Sequence, residues 1–291
     1  MRLALSLALS VAAAALAAPG CRRAADIPAP AAAREVAPEQ VDTLLAQGDR
    51  AFAERGDPAR LEAALRAYSA ASVQRPSDPG VEVRLARAEA FRALAATTPS
   101  VAREAWEASA RAAERALRRL APAWAEAIDR GEDPAAAATR VDAPGAEALY
   151  WLAQGTMRAA QATGYAAVLA VKDAALGMMS RAAELDERID AAGPHRCLGA
   201  WRAMLPVAAG GGAAASRAHF DRARVLAPDD PLARVAEAET WAVLVQDEQR
   251  FDALLGEVLA FDPSREPSRA PEAAIAKRRA RELLDRKARL F

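Results

Sequence analysis

The sequence predicts an all-α protein, and three observations support this fold class. Hydrophobic residues make up 53% of the 291 residues but aromatic residues only 5%, so alanine supplies much of the apolar content. Residues that favour strands are therefore scarce, whereas the helix formers Ala, Leu, Arg and Glu are abundant. Helix-start signals recur along the chain, and no Asn-Gly or Asp-Gly hairpin signal occurs in it.

Residues 1–20 are predicted to be a secretory signal peptide. Arg2 precedes an uninterrupted run of Leu, Ala, Val and Ser from Leu3 to Ala18. This run is shorter than the roughly 20 residues that a transmembrane helix needs. The following Pro-Gly-Cys is similar to the end of a bacterial lipobox, in which the cysteine thiol receives a lipid. We therefore predict lipidation of Cys21.

Lipidation predicts a periplasm-facing protein anchored to a bacterial membrane, with the outer membrane favoured. Cleavage after Ala17, which would release a soluble periplasmic protein, is the alternative. Cys21 and Cys197 are the only cysteines, so acylation of the first leaves no intramolecular disulfide. Cys197 is then expected to be a small buried residue. Residues 21–35, rich in Ala and Pro, are predicted to form a tether, and residues 36–291 the helical domain.

Helix starts are marked by a capping residue followed by proline. Asp accepts hydrogen bonds from the free N–H groups of the first turn, and Pro lacks the donor that would remain unpaired there. The pairs that we interpret as such helix starts are Asp57-Pro58, Asp78-Pro79, Asp133-Pro134, Asp230-Pro231 and Thr98-Pro99. They predict a body of short-looped antiparallel helices.

A repeat of two helices is also visible in the spacing of small and large residues. The tetratricopeptide pattern has about 34 residues per unit, with small residues where two helices approach closely and a large residue between them. The matching positions are Ala64, Tyr68, Ala71 and Pro76; Trp151, Gly155, Ala175, Met179 and Ala182; Gly199, Ser216, Phe220, Ala223 and Pro228; and Phe251, Leu255, Val258 and Pro263. These units predict irregular tetratricopeptide-like helical hairpins that form one compact α-solenoid domain.

Residues 77–145 fit this repeat poorly. They predict longer helices that contain Trp106 and Trp124, followed by a flexible connection from Gly131 to Pro144. An endless regular solenoid is therefore not expected.

The second half of the chain has a more specific pattern. It includes Tyr150-Trp151-x3-Gly155, Gly193-Pro194-His195-Arg196, Leu198-Gly199-Ala200, the Gly210–Gly212 turn, and Ser216-Arg217-x-His219-Phe220. This pattern resembles the TatT family, the T component of tetratricopeptide-associated tripartite ATP-independent periplasmic (TRAP) transporters. The resemblance covers roughly residues 36–291 and is most specific from Tyr150 onward.

The resemblance implies a non-enzymatic accessory lipoprotein. Its partner would be the periplasmic substrate-binding protein of a TRAP system, and it would help to move a ligand towards the permease. A scaffold in outer-membrane assembly or secretion, built on the same repeats, is the alternative. The resemblance implies no catalytic residue.

Five residues are candidates for contact with a ligand or partner: Tyr150, Trp151, His195, Arg196 and Trp201. Aromatic side chains on repeat helices can line a cleft or a protein-binding groove, and His-Arg at a helix start can face one. The competing interpretation is packing between repeat units, where the pattern places Trp151 in any case.

Other site classes find little support in the sequence. The two histidines lack further ligands at helical spacing, so we expect no metal and no cofactor. The glycine run at 210–212 has no Lys-Ser/Thr after it and predicts a turn rather than a phosphate loop. Basic and acidic residues both number 39, which argues against nucleic acid and limits membrane contact to the lipid anchor. The sequence is also compatible with a homo-oligomer.

Overall fold

A computed structural model describes residues 38–291, and it is helical over nearly all of this range. No strand occurs in the described range, which confirms the predicted all-α class. The signal peptide at 1–20, the lipidation of Cys21 and the tether at 21–35 lie outside the described residues and stay predictions.

Thirteen α-helices follow one another in the described range, linked by short turns and 3₁₀ segments. They are α1 (Pro38–Ala53), α2 (Pro58–Gln74), α3 (Pro79–Ala95), α4 (Pro99–Leu120), α5 (Pro122–Asp129), α6 (Pro134–Ala137), α7 (Ala146–Thr163), α8 (Tyr165–Leu185), α9 (Ile189–Met204), α10 (Ala213–Leu226), α11 (Pro231–Glu237), α12 (Glu248–Ala260) and α13 (Ala270–Asp285). A π-helical turn, Ala238–Ala242, continues α11.

The predicted helix starts are found at the Asp-Pro positions. Each Asp carboxylate accepts a hydrogen bond from a first-turn N–H: Asp57 from Ala59 at 2.8 Å, Asp78 from Gly80 at 2.9 Å, Asp133 from Ala135 at 2.7 Å and Asp230 from Ala233 at 3.2 Å. Thr98-Pro99 also precedes a helix, but the Thr98 side chain makes no capping hydrogen bond. Proline at the first helical position thus marks all five starts, and the cap itself is supplied by Asp alone.

Predicted repeat positions pack as the spacing indicates in the first and third units. In the hairpin of α1 and α2, Gly48 faces Tyr68 so closely that an added Cβ would lie 2.6 Å from the ring. In the hairpin of α9 and α10, Gly199 faces Phe220, and the Ser216 hydroxyl donates to the Gly199 carbonyl at 2.8 Å. Small residues therefore let the helices of each pair approach.

The second unit, α7 and α8, differs from the pattern because the small residue of α7 packs against another helix and not against α8. Gly155 of α7 faces α4, where an added Cβ would lie 2.7 Å from the Trp106 carbonyl oxygen and 2.9 Å from the Ala110 nitrogen. The close approach therefore joins α7 to the long helix α4 of the preceding segment, rather than to α8. The repeat-poor region and the repeats share one core as a result.

The expectation of a flexible connection from Gly131 to Pro144 is wrong. This stretch contains α6 and two 3₁₀ turns, and Ala137, Ala138 and Val141 are completely buried. Gly177 of α8 touches Ala135, and Arg181 donates to the Val141 carbonyl at 2.9 Å. Packing against α8, which is remote in sequence, orders residues that have little local pattern of their own.

The buried apolar residues form two main cores. The larger core takes residues from α1 to α9, and we call this part the N-terminal lobe. The smaller core takes residues from α11, the π turn, α12 and α13, and we call it the C-terminal lobe. Hairpin α9–α10 connects the lobes on one side. None of the described helices is long and apolar enough to span a bilayer.

Polar contacts join the lobes on the other side. Arg55, after α1, forms a buried ion pair with Glu272 of α13, with an N–O distance of 2.7 Å. Arg55 also donates to the Ser268 carbonyl at 2.6 Å, and Arg278 donates to the Leu94 carbonyl at 3.3 Å. The first and last helices of the described chain thus meet.

Candidate functional site

Three neighbouring cavities lie where the two lobes face each other. The first has a volume of about 850 Å³, the second about 470 Å³ and the third about 540 Å³. The first and second share Leu94 and Leu232 in their walls, and the second and third share Arg158, Ala236 and Glu239. These volumes are in the range of small-molecule sites.

A buried group of charged and polar side chains contributes to the walls of both the first cavity and the second. This central polar cluster consists of Tyr150, Asp190, Arg196, Asp230 and Arg269. Arg196 pairs with Asp190 at 2.6 Å and with Asp230 at 2.8 Å, and Arg269 pairs with the same two carboxylates at 2.9 and 3.1 Å. The Tyr150 hydroxyl donates to Asp190 at 2.9 Å. Two guanidinium groups and two carboxylates balance, so the cluster is neutral.

A left-handed turn places Asp190 in the cluster. Asp190, Ala191 and Ala192, at the start of α9, have φ angles of 49°, 53° and 59°. Non-glycine residues rarely adopt this conformation, which costs about 1–2 kcal/mol per residue. The Asp190 carbonyl accepts from Arg196 at 3.1 Å, so the same guanidinium holds both the backbone and the side chain of this turn. Gly193 follows, with no room for a Cβ beside the Tyr150 hydroxyl.

The charges of the cluster perturb one another. Burial alone would raise the pKa of Asp190, but Arg196 and Arg269 outweigh it and hold the pKa below its ordinary value. Burial, together with the nearby Asp190 carboxylate, raises the pKa of Tyr150 well above its ordinary value. Asp190 therefore stays an ion-paired carboxylate and Tyr150 a neutral phenol across the physiological range.

Four of the five candidate residues contact the cavities or the central polar cluster. Tyr150 and Arg196 belong to the cluster, and Arg196 also lines the second cavity. Trp151 lines the first cavity, and its indole N–H donates to Glu147 at 3.1 Å. Trp201, which is 1% exposed, lines the third cavity. Core packing and cavity lining thus coincide at these positions, and their contact with a ligand or partner stays a prediction.

His195 is placed apart from the cavities. Its Nδ1 lies 3.0 Å from the Nδ1 of His219 on α10, and its Nε2 lies 3.4 Å from Glu187. Burial lowers the pKa of both histidines, that of His219 to about 4. Among residues 38–291, no group of three His, Cys, Asp or Glu side chains is arranged to hold a metal ion.

Asp190, Arg269, Arg87 and Glu147 are site residues that reasoning from the sequence did not identify. Arg87 and Glu147 line the first cavity, as do Asp190 and Arg269. Asp230 was recognised only as a helix cap, whereas its carboxylate also pairs with two arginines. In a chain with so many arginines, no local feature of the sequence shows which guanidinium group becomes buried. The Gly193-Pro194 pair was the one available indication of an unusual backbone near Asp190.

Cys197 has the environment expected for it. The thiol is 3% exposed and lies next to the Gln154 amide, and burial raises its pKa. A raised pKa leaves the sulfur protonated and unreactive at neutral pH.

Comparison with known proteins gives a family assignment. A search of curated proteins found no match to the chain. The family model described as the TRAP transporter T-component matches residues 59–291, which begins inside α2 and includes every later helix and the central polar cluster. This range is most of the chain, and it agrees with the resemblance that the second-half motifs indicated. The chain therefore belongs to the TRAP transporter T-component family.

Proposed function

We propose that this accessory component of a TRAP transporter binds the periplasmic substrate-binding protein and passes ligand from it towards the permease. The observation that supports this role is the row of three cavities between the lobes. Each cavity shares wall residues with the next one in the row. We propose that a small molecule passes along this row from one cavity to the next. The role requires no chemistry on the ligand, so we propose a non-enzymatic protein.

Exposed apolar side chains beside the third cavity suggest where a protein partner docks. Met204 and Leu244 line this cavity and are 49% and 45% exposed. Val207, three residues after Met204, is 79% exposed. Large apolar side chains that cluster at a cavity mouth are typical of interaction sites. We place the substrate-binding protein at this end, which we call the apolar end.

The membrane attachment that fits this role is a lipid on Cys21. It would keep the helical body on the periplasmic face of a bacterial membrane, where the substrate-binding protein circulates. Incorporation of radiolabelled fatty acid should occur in the wild-type chain and be lost in Cys21→Ser. Unlabelled wild-type protein would show that the chain has no such anchor.

A pair of matched variants tests the docking surface. Val207→Asp places a charge at the apolar end, whereas Val225→Asp makes the same change at a comparably exposed valine, 71% exposed, at the opposite end of hairpin α9–α10. Affinity purification of the tagged chain from native membranes should recover a periplasmic substrate-binding protein. Val207→Asp should reduce that recovery by about tenfold, since a charge buried in an interface is costly, while Val225→Asp should not.

Two results would contradict the proposal. Recovery of envelope-assembly proteins alone would favour the scaffold in outer-membrane assembly or secretion. Equal recovery with both valine variants would move the docking surface away from the apolar end.

A further inference from the structure

The first cavity has eight charged side chains in its wall, and six of them are paired. Arg84 pairs with Asp49 at 3.1 Å, Arg55 with Glu272 at 2.7 Å, and Arg269 with Asp190 at 2.9 Å. The remaining two are Arg87 and Glu147. The paired residues need nothing more to balance their charge, so the two unpaired residues determine what the cavity can attract.

Arg87, on α3, has no carboxylate partner among the described residues. Its Nε is buried and makes no hydrogen bond, and its guanidinium lies over the Phe52 ring, 4.9 Å from the ring centroid. Stacking on an aromatic face recovers part of the lost hydration, but it leaves the N–H donors unused. An anionic group in the cavity would satisfy them.

Glu147, in the first turn of α7, is the unpaired acidic residue of the same cavity wall. Its carboxylate accepts one hydrogen bond, from the Trp151 indole, and no cation pairs with it in the described range. It is half-buried and lies in the same cavity wall as Arg87, yet no ion pair joins the two. The cavity therefore has one unpaired cation, one unpaired anion, and the aromatic side chains of Phe52, Phe91 and Trp151 in the same wall.

A ligand with a single charge would neutralise one of these groups and leave the other partly desolvated beside it, which is unfavourable. A ligand that carries both an anionic and a cationic group, with an apolar body, would satisfy both. We propose that the first cavity binds a zwitterion of the amino-acid or short-peptide type, with its carboxylate at Arg87, its ammonium at Glu147 and its apolar part against Phe52, Phe91 and Trp151.

This inference names the ligand class for the transport role proposed above, and rests on that role for its physiological meaning. Binding to the isolated chain is measured without any partner. Failure of the partner purification would therefore leave the ligand assignment intact, and failure of ligand binding would leave the partner assignment intact.

Isothermal titration of the purified full-length chain with matched probes tests the assignment. L-phenylalanine and glycyl-L-phenylalanine carry both charges, 3-phenylpropionate lacks the ammonium, and 2-phenylethylamine lacks the carboxylate. At least one zwitterion should bind about tenfold or more tightly than both singly charged probes, because each charge-assisted contact is worth about a factor of ten.

Two variants separate the two contacts. Arg87→Gln should weaken the zwitterion about tenfold and leave 2-phenylethylamine within about twofold of wild type. Glu147→Gln keeps an acceptor for Trp151, and it should weaken the zwitterion similarly while leaving 3-phenylpropionate unchanged. Arg111→Gln and Glu126→Gln, whose side chains are 61% and 74% exposed and outside the cavity, serve as matched controls.

Three outcomes would overturn the proposal. If neither zwitterion binds more tightly than both singly charged probes, including the case in which no probe binds, the cavity is not a zwitterion site. If 3-phenylpropionate binds as well as the zwitterions, the site recognises anions and Glu147 has no part in it. If the Arg87 and Glu147 variants, with unchanged melting temperatures, bind as the controls do, the residues are assigned wrongly.

Discussion

Asp190 is the residue at which the contacts of the central polar cluster converge. Its carboxylate receives hydrogen bonds from Tyr150, Arg196 and Arg269, and its carbonyl receives a further one from Arg196. These contacts hold a left-handed turn that the residues Asp-Ala-Ala do not favour on their own. Strained backbone that is held by surrounding charges is typical of functional positions, and here Asp190 lies in the wall of the first cavity.

Removal of Arg196 is expected to destabilise the protein strongly. Arg196→Met keeps most of the side-chain volume but leaves Asp190 and Asp230 with less counter-charge in a buried place. Breaking one side of a buried ion pair costs about 3–5 kcal/mol. Chemical denaturation should show this loss, and Arg111→Gln, at an exposed ion pair, should change the free energy of unfolding by less than about 1 kcal/mol. A loss at Arg196→Met as small as that of the control would mean that the cluster is solvated.

The histidine pair predicts a dependence of stability on pH. Burial lowers the pKa of His219 from 6.5 to about 4, and the neighbouring His195 adds repulsion. Between these two pH values the unfolded chain binds a proton that the folded chain does not. Stability should therefore be full above about pH 6.5 and fall as the pH decreases towards about 4.

His219→Gln should flatten this part of the profile. The wild type should lose about 1–2 kcal/mol more than the variant between pH 7 and pH 4.5, a figure reduced for the partial exposure of the ring. Denaturant unfolding at a series of pH values measures the difference. Parallel profiles for the two proteins would show that His219 titrates normally in the folded state.

At the scale of helices, glycines in similar positions are expected to respond in opposite ways to the same substitution. Gly155 of α7 lies against the backbone of α4, where an added Cβ would meet the Trp106 oxygen at 2.7 Å. Gly256 of α12 has nothing within 4 Å of such a Cβ. Alanine favours helix over glycine at both sites, so only the packing differs.

Gly155→Ala should destabilise the protein by about 1–3 kcal/mol, because the contacting atoms are backbone and cannot turn away. Gly256→Ala should stabilise it by about 0.5–1 kcal/mol through helix propensity. Thermal or denaturant unfolding of the two variants gives the signs directly. A stabilising effect of Gly155→Ala would mean that α4 and α7 are separated by enough space for a Cβ at residue 155.

At the scale of the whole molecule, a buried ion pair joins the end of the first helix to the last helix. It is formed by Arg55, just after α1, and Glu272 of α13. Arg55 donates to both carboxylate oxygens of Glu272 at 2.7 to 3.0 Å, and both side chains are 9% exposed. The pair also forms part of the wall of the first cavity. Its geometry couples the position of α13 to that of α1, and so couples the lobes across the cavity.

A double-mutant cycle should reveal this coupling. Arg55→Met and Glu272→Leu should each cost about 3–5 kcal/mol, and the double variant should cost clearly less than their sum, because no charge is then left unpaired. Hydrogen exchange should rise at the start of α13 in each single variant. Additive costs would show that the two residues act independently.

Helix positions and hairpin packing could be predicted from the sequence because their causes are local. Asp57-Pro58 and Asp230-Pro231 satisfy first-turn N–H groups within three residues, and the Gly199–Phe220 spacing acts within one hairpin. The buried state of Cys197 and of Trp151 followed from the same periodic pattern. Composition, helix starts and repeat spacing were thus sufficient for the all-α class, whereas the family was indicated by the resemblance of the second-half motifs.

The cavities and their charges were decided only by the tertiary structure. Arg55 and Glu272 are 217 residues apart, Asp190 and Arg269 are 79 apart, and the wall of the first cavity combines residues from α1, α3, α7 and the start of α13. In a chain with 39 basic and 39 acidic residues, the sequence cannot indicate which charges pair and which stay unpaired. That depends on burial and on distances between remote helices, because the buried ion pairs form only where folding brings two charges from distant parts of the chain together.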